Sequence, residues 1–171
     1  MTAIVEACFS IEKLNRTHAR QAFSCGISSL DHYLHQSASQ DEKRHIAVTY
    51  ILHDDHLKKI VGFYTLSSMT IALNELPPDI ARKLPHYSLI PATLIGRLAV
   101  DVNYQKQGQG ELLLIDALHR AHKLSQDIAS YAVVVDAINQ KAAEFYRKYG
   151  FINLEMQKDK LFLSMKSIAG L

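Results

Sequence analysis

Between an apolar run, Thr93–Val100, and a helix-like segment, Gly110–Ser125, lies Gln105-x-x-Gly108-x-Gly110. The run reads as a buried strand. In the segment after it, Leu113, Ala117, Ala121 and Leu124 fall on one helical face. A strand that turns through glycines into a helix is an anion cradle. Glycine lets the backbone approach closely, unpaired N–H groups at the helix start point outward, and the helix dipole favours phosphate there. No Gly-Lys-Ser/Thr follows, so this is not a Walker A loop. Nor is it a dinucleotide fingerprint, because the third glycine and the ribose-binding acid are missing.

The rest of the chain alternates between the two periods, as in an α/β or α+β fold. Cys8–Leu14 reads as a first strand. Ser28 followed by Asp31 reads as a helix start, with Leu30, Tyr33, Leu34, Ser37 and Ala38 on one face. Ile46–Leu52 and Ile60–Ser67 form a hairpin around the polar 53–59 segment. Asn74–Pro91 holds all four prolines and reads as a loop with one helical turn over Asp79–Leu84. Tyr131–Val135 is a buried strand. Asn139 is the N-cap of a helix running through Tyr149 and closed by Gly150. Phe151–Leu154 and Leu161–Met165 are the last two strands. The order is β-α-β-β-loop-β-α-β-α-β-β over one domain, 1–171.

Composition excludes several classes. With 48% hydrophobic and 21% charged residues the chain is globular, not disordered. Cys8 and Cys25 are too few for a disulfide scaffold and form no C-x-x-C pair; both read as reduced thiols. The opening MTAIVEACFSIEKL has no basic n-region, so it is not a signal peptide, and no stretch approaches the ~20 apolar residues of a membrane span. A cytoplasmic protein is expected, with no membrane partner. His32/His35 and His119/His122 pair at helical spacing, and His53-Asp54-Asp55-His56 looks like a ligand string, but no third convergent ligand accompanies them. Solvated helix faces and a polar turn are the better account, and no metal is expected.

The Gln105–Gly110 loop, the strand after it, and Asn139-x-x-Ala142-x-x-Phe145-Tyr146-x-x-x-Gly150-Phe151 together resemble the GCN5-related N-acetyltransferase (GNAT) superfamily. The resemblance implies a mixed, mostly antiparallel twisted sheet, splayed at the acetyl-CoA site and flanked by helices. It further implies that Gln105, Lys106, Gln107, Gly108, Gln109 and Gly110 hold the pyrophosphate of acetyl-CoA. Leu98, Ala99 and Val100 would line the pantetheine arm, with the Val100 N–H on the thioester carbonyl. Asn139, Ala143 and Phe145 would complete the cosubstrate site, and Tyr146 would protonate the departing thiolate.

The N-terminal half narrows the resemblance. Phe23-Ser24-Cys25-Gly26 precedes Leu30-Asp31-x-Tyr33-Leu34; Gly62–Ser67 and Gly96-Arg97-Leu98-Ala99-Val100-Asp101 follow. This set is similar to the TacT-like toxins of type II toxin–antitoxin modules. That resemblance implies acetylation of the α-amino group of aminoacyl-tRNA, a block of translation, neutralisation by a ribbon-helix-helix antitoxin that carries the complex to operator DNA, and a homodimer. The alternative is a GNAT acting on a small amine or on a protein N-terminus or lysine, with an acidic acceptor pocket. A CoA-binding regulator without turnover is a third reading, disfavoured by the retained Gln105, Gly108, Gly110, Asn139 and Tyr146.

Cations needed for tRNA phosphates are available in Arg82, Lys83, Arg97, Lys43 and Arg44. Arg97 lies in an apolar strand, where an unpaired charge is costly, so it is expected to be paired or functional. The net charge is only +2, yet Arg82–Gly110 holds four cations against one acid. Asp101, Asp136 and Glu144 could in principle serve as a base, but read better as structural or solvated carboxylates. Tyr64, Thr65 and Ser67 could line an acceptor pocket.

Overall fold

The computed structural model describes residues 8–171. In chain order the elements are β1 (Phe9–Lys13), α1 (Ser28–His32), a π-helical turn (Tyr33–Ser37), α2 (Ala38–Lys43), β2 (Val48–Asp54) and β3 (Lys59–Ala72). A 3₁₀ turn (Leu73–Glu75), α3 (Pro78–Ala81), β4 (Leu89–Val100), α4 (Gln109–Leu124), β5 (Ala132–Asp136), α5 (Gln140–Lys148), β6 (Ile152–Leu154), β7 (Gln157–Ser164) and α6 (Met165–Ile168) follow. The strands are ordered β1-β2-β3-β4-β5-β7-β6 in a mixed, mostly antiparallel sheet. The seven strands and the helices α4 and α5 follow the expected order, whereas the first helix is broken by the π-helical turn and α6 is additional. The reading of the first residues as no signal peptide rests mostly on 1–7, outside the described residues. No helix among the described residues is long and apolar enough to cross a membrane.

The chain divides into two compact units. One runs up to Thr65 and takes in Arg97–Asp116; the other comprises Leu66–Gly96 and Ala117–Leu171. In the first, β1 lies antiparallel on β2 from Phe9↔Asp54 to Lys13↔Tyr50. Its core gathers Leu14, Phe23, Tyr33, Leu34, Ala38, Ile51, Phe63 and Ala99. The Tyr33 and Phe63 rings stack and Phe23 meets Phe63 edge-on. Tyr33, Leu34 and Ala38 are buried as the helical spacing predicts.

In the second unit, β4 and β5 pair in parallel from Ala92↔Ala132 to Ile95↔Val135. β7 lies antiparallel on β5, and β6 on β7. Ala132 through Val135 are all inaccessible, as a buried strand requires. Ile71, Leu76, Ile90, Val134, Leu154 and Phe162 make the core, with Ile80 and Leu84 packed on it.

Several boundaries differ from the sequence reading, each for a physical reason. β3 continues past Ser67 to Ala72, its burial changing from every residue to alternate residues. β4 begins inside the proline-rich stretch: Pro91 has no N–H to give, but its carbonyl accepts from Tyr131 N at 2.8 Å. Ser28 is not the cap of α1; Ile27 holds that position and no side chain caps it. Met165 starts a short helix instead of ending a strand, because Ser164 Oγ accepts from Ser167 N at 3.2 Å.

Candidate active site

The loop after β4 is built by buried polar contacts. Asp101 N donates to Val61 O at 2.8 Å, holding the end of β4 to β3. The Asp101 carboxylate, 5% exposed, accepts from Ser24 N (3.1 Å), Asn103 N (2.9 Å) and Asn103 Nδ2 (3.0 Å). Its oxygens are thus committed to shaping the loop, the structural role expected of it. Gln105 Nε2 donates to Val100 O and to Cys25 O, both at 2.9 Å. Gln105 therefore acts as a brace with its side chain turned onto the backbone.

Beyond the brace, Lys106 and Gly108 adopt left-handed backbone, with φ of 61° and 86°. A Cβ at Gly108 would meet nothing within 4 Å, so glycine is required there by backbone conformation and not by space. Gln109 begins α4 and is buried, whereas Lys106, Gln107 and Gly108 are exposed. Leu112 N donates to Gly108 O at 3.1 Å as α4 begins. A left-handed turn at a helix start stands where the sequence reading puts its anion cradle.

Leu98, Ala99 and Val100 lie on β4 past the last β4–β5 pair, Ile95↔Val135. Gly62, on β3, faces this strand end closely. A Cβ on Gly62 would sit 2.7 Å from Leu113 Cδ1 and 2.8 Å from Ala99 O. In the sequence Gly62 is one residue of the Gly62–Ser67 motif; its close approach to Ala99 depends on the fold and is not disclosed by local spacing.

In the second unit, Asn139 caps α5 as expected. Its Oδ1 accepts from Ala142 N at 2.9 Å, which leaves the exposed amide nitrogen to donate elsewhere. Gly150 has φ of 91°, the left-handed C′ position expected of it. Ala143 and Tyr146 are buried on α5 and Phe145 is half-buried. The Tyr146 ring packs between Phe145 and Phe151, with centroids at 5.3 and 5.6 Å. Burial first, and then the Asp136 carboxylate, hold its phenol well above the ordinary tyrosine range. Asp136 itself pairs with Lys160 Nζ at 2.6 Å, and Glu144 is exposed on α5.

Arg97 is paired with an aromatic ring: its guanidinium sits 3.6 Å from the centroid of the Tyr33 ring. Tyr33, placed by the π-helical turn, donates its hydroxyl to Asp41 Oδ2 at 3.1 Å. Lys43 and Arg44, at the end of α2, are exposed, as are Arg82 and Lys83 just past α3. Tyr64 is fully buried, stacked on Tyr50 and donating to Asp116 Oδ2 at 2.5 Å, and Thr65 is buried too. Only Ser67 of that trio is partly exposed. The histidine string is a turn: Asp54 Oδ1 accepts from His56 N and Leu57 N, and His53 Nδ1 bonds Asp55.

Residues 45–153 match the family model described as Acetyltransferase (GNAT) domain. The chain belongs to the GNAT acetyltransferase family. The acetyltransferase is 32% identical over 150 residues to a tRNA-acetylating toxin of Mycobacterium tuberculosis strain ATCC 25618 / H37Rv, covering 88% of each chain. Among solved structures it resembles AtaT complexed with acetyl-methionyl-tRNAfMet, with TM-score 0.88, 30% identity, and coverage of 95% of this chain and 98% of that one. It also resembles an AtaT mutant toxin bound to the C-terminus of the antitoxin AtaR and acetyl-CoA. There the TM-score is 0.79, identity 27%, and coverage 94% and 95%. The fold expected of the family is the one observed.

Proposed function

We infer that this acetyltransferase is a toxin that moves the acetyl group of acetyl-CoA to the α-amino group of an aminoacyl-tRNA, blocking translation until an antitoxin neutralises it. The observation that carries this reading is likeness along nearly the whole chain, N-terminal half included, to proteins named for tRNA acetylation or solved with acetylated aminoacyl-tRNA. The family model alone, over 45–153, would leave the acceptor open.

The roles assigned to side chains rest on the family resemblance and on the chemistry of each environment. The N–H groups of Gly108 to Glu111 take the pyrophosphate, with the Gln105 brace holding the loop. Lys106 and Gln107 flank it. Leu98, Ala99 and Val100 flank the pantetheine arm, which the amide nitrogen of Asn139 contacts; Ala143 and Phe145 pack beside it. The free amine attacks the thioester carbon. The resulting oxyanion is held by the Val100 N–H, and its collapse breaks the C–S bond. Tyr146 gives its proton to the departing sulfur, and the proton shed by the acylated nitrogen restores the phenol, so that the amine's proton is in balance carried to the thiol. A thiol of pKa about 8.5 leaves readily enough for so weak an acid to suffice. No base is required of the protein. An α-amino group of pKa about 7.7–8.0 is partly neutral near pH 7, whereas a lysine near 10.4 is not. This chemistry fits a site whose carboxylates Asp101 and Asp136 are already engaged.

Arg82, Lys83, Lys43 and Arg44 supply exposed cations for tRNA phosphates; Arg97, stacked on Tyr33, offers its remaining edge. The finer parts of the reading are a ribbon-helix-helix antitoxin carrying the complex to operator DNA, a homodimer, and action in the cytoplasm without a metal. Expression of the chain alone is expected to arrest growth, and Tyr146→Phe to relieve the arrest at equal protein level. Unimpaired growth on expressing folded wild-type protein would contradict the toxin reading.

A further inference from the structure

The segment Ser24–Gly26 has no regular secondary structure, yet every backbone polar group of Ser24 and Cys25 is taken. Ser24 N donates to Asp101 Oδ2 (3.1 Å) and Ser24 O accepts from Val102 N (2.8 Å). Cys25 N donates to Asp31 Oδ1 (2.8 Å) and Cys25 O accepts from Gln105 Nε2 (2.9 Å). Ser24 Oγ adds a second bond to Asp31, at Oδ2 (3.2 Å). Two carboxylates thus grip this dipeptide, Asp101 from the end of β4 and Asp31 from the first turn of α1. The carbonyl between them braces the phosphate loop through Gln105. Gly26, with φ of 87°, turns the chain away immediately afterwards.

Asp31 does not serve α1 as a capping acid. Its carboxylate reaches back past the helix start to residues six and seven positions earlier. We propose that Asp31 is a positioning residue for acetyl-CoA. It fixes the Cys25 carbonyl at the distance Gln105 needs, and so holds the Gln105–Gly110 loop in its anion-binding shape. This rests on the reading of that loop as the acetyl-CoA pyrophosphate site. Asp31 touches no reacting atom in this scheme, so its loss falls on cosubstrate binding and not on the chemical step.

The test compares wild type, Asp31→Ala and Asp31→Asn by calorimetric titration with acetyl-CoA and by steady-state kinetics. Asn keeps a carbonyl oxygen for the Cys25 N–H; Ala keeps nothing. Asp31→Ala should weaken acetyl-CoA binding and raise its KM roughly tenfold, the size of one lost charge-assisted hydrogen bond. Its kcat at saturating acetyl-CoA should stay within about twofold, and Asp31→Asn should restore most of the affinity. Unchanged affinity in folded Asp31→Ala overturns the proposal. So does a fall in kcat with KM unmoved, or an Asn variant as weak as Ala. If Asp31→Ala does not fold, the Asn variant decides by itself: affinity within about threefold of wild type is required. Failure of the wild-type protein to bind acetyl-CoA would instead defeat the loop assignment.

Discussion

At Tyr146, the burial that shifts the phenol also decides which chemistry it can do. A phenol held above its ordinary range stays protonated throughout physiological pH, so it can donate to a departing thiolate but cannot act as a base. Tyr146→Phe keeps the ring packing against Phe145 and Phe151 and removes only the hydroxyl. It should bind acetyl-CoA within about threefold of wild type while kcat falls about 10²–10⁴-fold; a wild-type rate would remove the acid assignment. The pH profile carries the same sign. The rate should rise from pH 6 as the acceptor amine loses its proton, then level off, with no descending limb up to pH 9 in stopped-flow or quench assays. A fall inside that window would mean that the phenol titrates where its burial says it does not. Cys25 gives a second check at this scale. Burial, helped by Asp31, pushes its thiol up to about 11, and its Sγ lies 3.6 Å from Ile27 O. Iodoacetamide at pH 8, read by mass spectrometry, should alkylate exposed Cys8 and spare Cys25 until the protein is unfolded.

Among the elements, the contact of β3 with the end of β4 is the least tolerant. At Gly62 a methyl group would meet the carbonyl oxygen of Ala99, which is backbone and cannot rotate away. Gly62→Ala should lower stability by about 1–3 kcal/mol in denaturant unfolding and weaken acetyl-CoA binding, because Ala99 and Val100 must move. Equal stability and affinity would show that the strand end yields freely. The contrast with Asn139 shows what a sequence discloses. The Asn139 cap, the Gly150 terminus and the buried Ala132–Val135 strand are local patterns, fixed by spacings of a few residues, and each stands where expected. The loop's glycines are legible for the same reason, although Gly108 serves a left-handed turn and not the close approach expected of it. The brace is not: the bonds from Ser24 to Asp101 and from Gln105 to Cys25 span 77 and 80 residues. Ser28 and Asp31 have the spacing of a helix start, but Asp31 spends its carboxylate on the chain behind it. Arg97 was expected to find a partner because an isolated cation in an apolar strand is costly. That the partner is an aromatic ring depends on the π-helical turn that presents Tyr33, which no spacing rule announces.

For the molecule as a whole, a near-neutral charge of +2 conceals a basic stretch from Arg82 to Gly110, four cations against one acid. Arg82, Lys83 and Lys106 are exposed within it, and the single acid, Asp101, is buried in the loop. Binding of charged tRNA should therefore weaken steeply with salt. Replacing Arg82 and Lys83 together by Ala should lower the slope of log K against log salt by roughly 1.5–2, with acetyl-CoA affinity unmoved. An unaltered slope would place the RNA elsewhere on the protein.

The central claim concerns which amine is acetylated, and it is tested most directly by incubating the purified protein with acetyl-CoA and pooled aminoacyl-tRNA, then digesting the RNA and weighing the aminoacyl-adenosines. The account predicts that at least one aminoacyl-adenosine gains one acetyl group on its α-nitrogen, and that Tyr146→Phe largely abolishes the product. A protein that binds acetyl-CoA yet acetylates no aminoacyl-adenosine, while acetylating a small amine or a protein lysine, would contradict it.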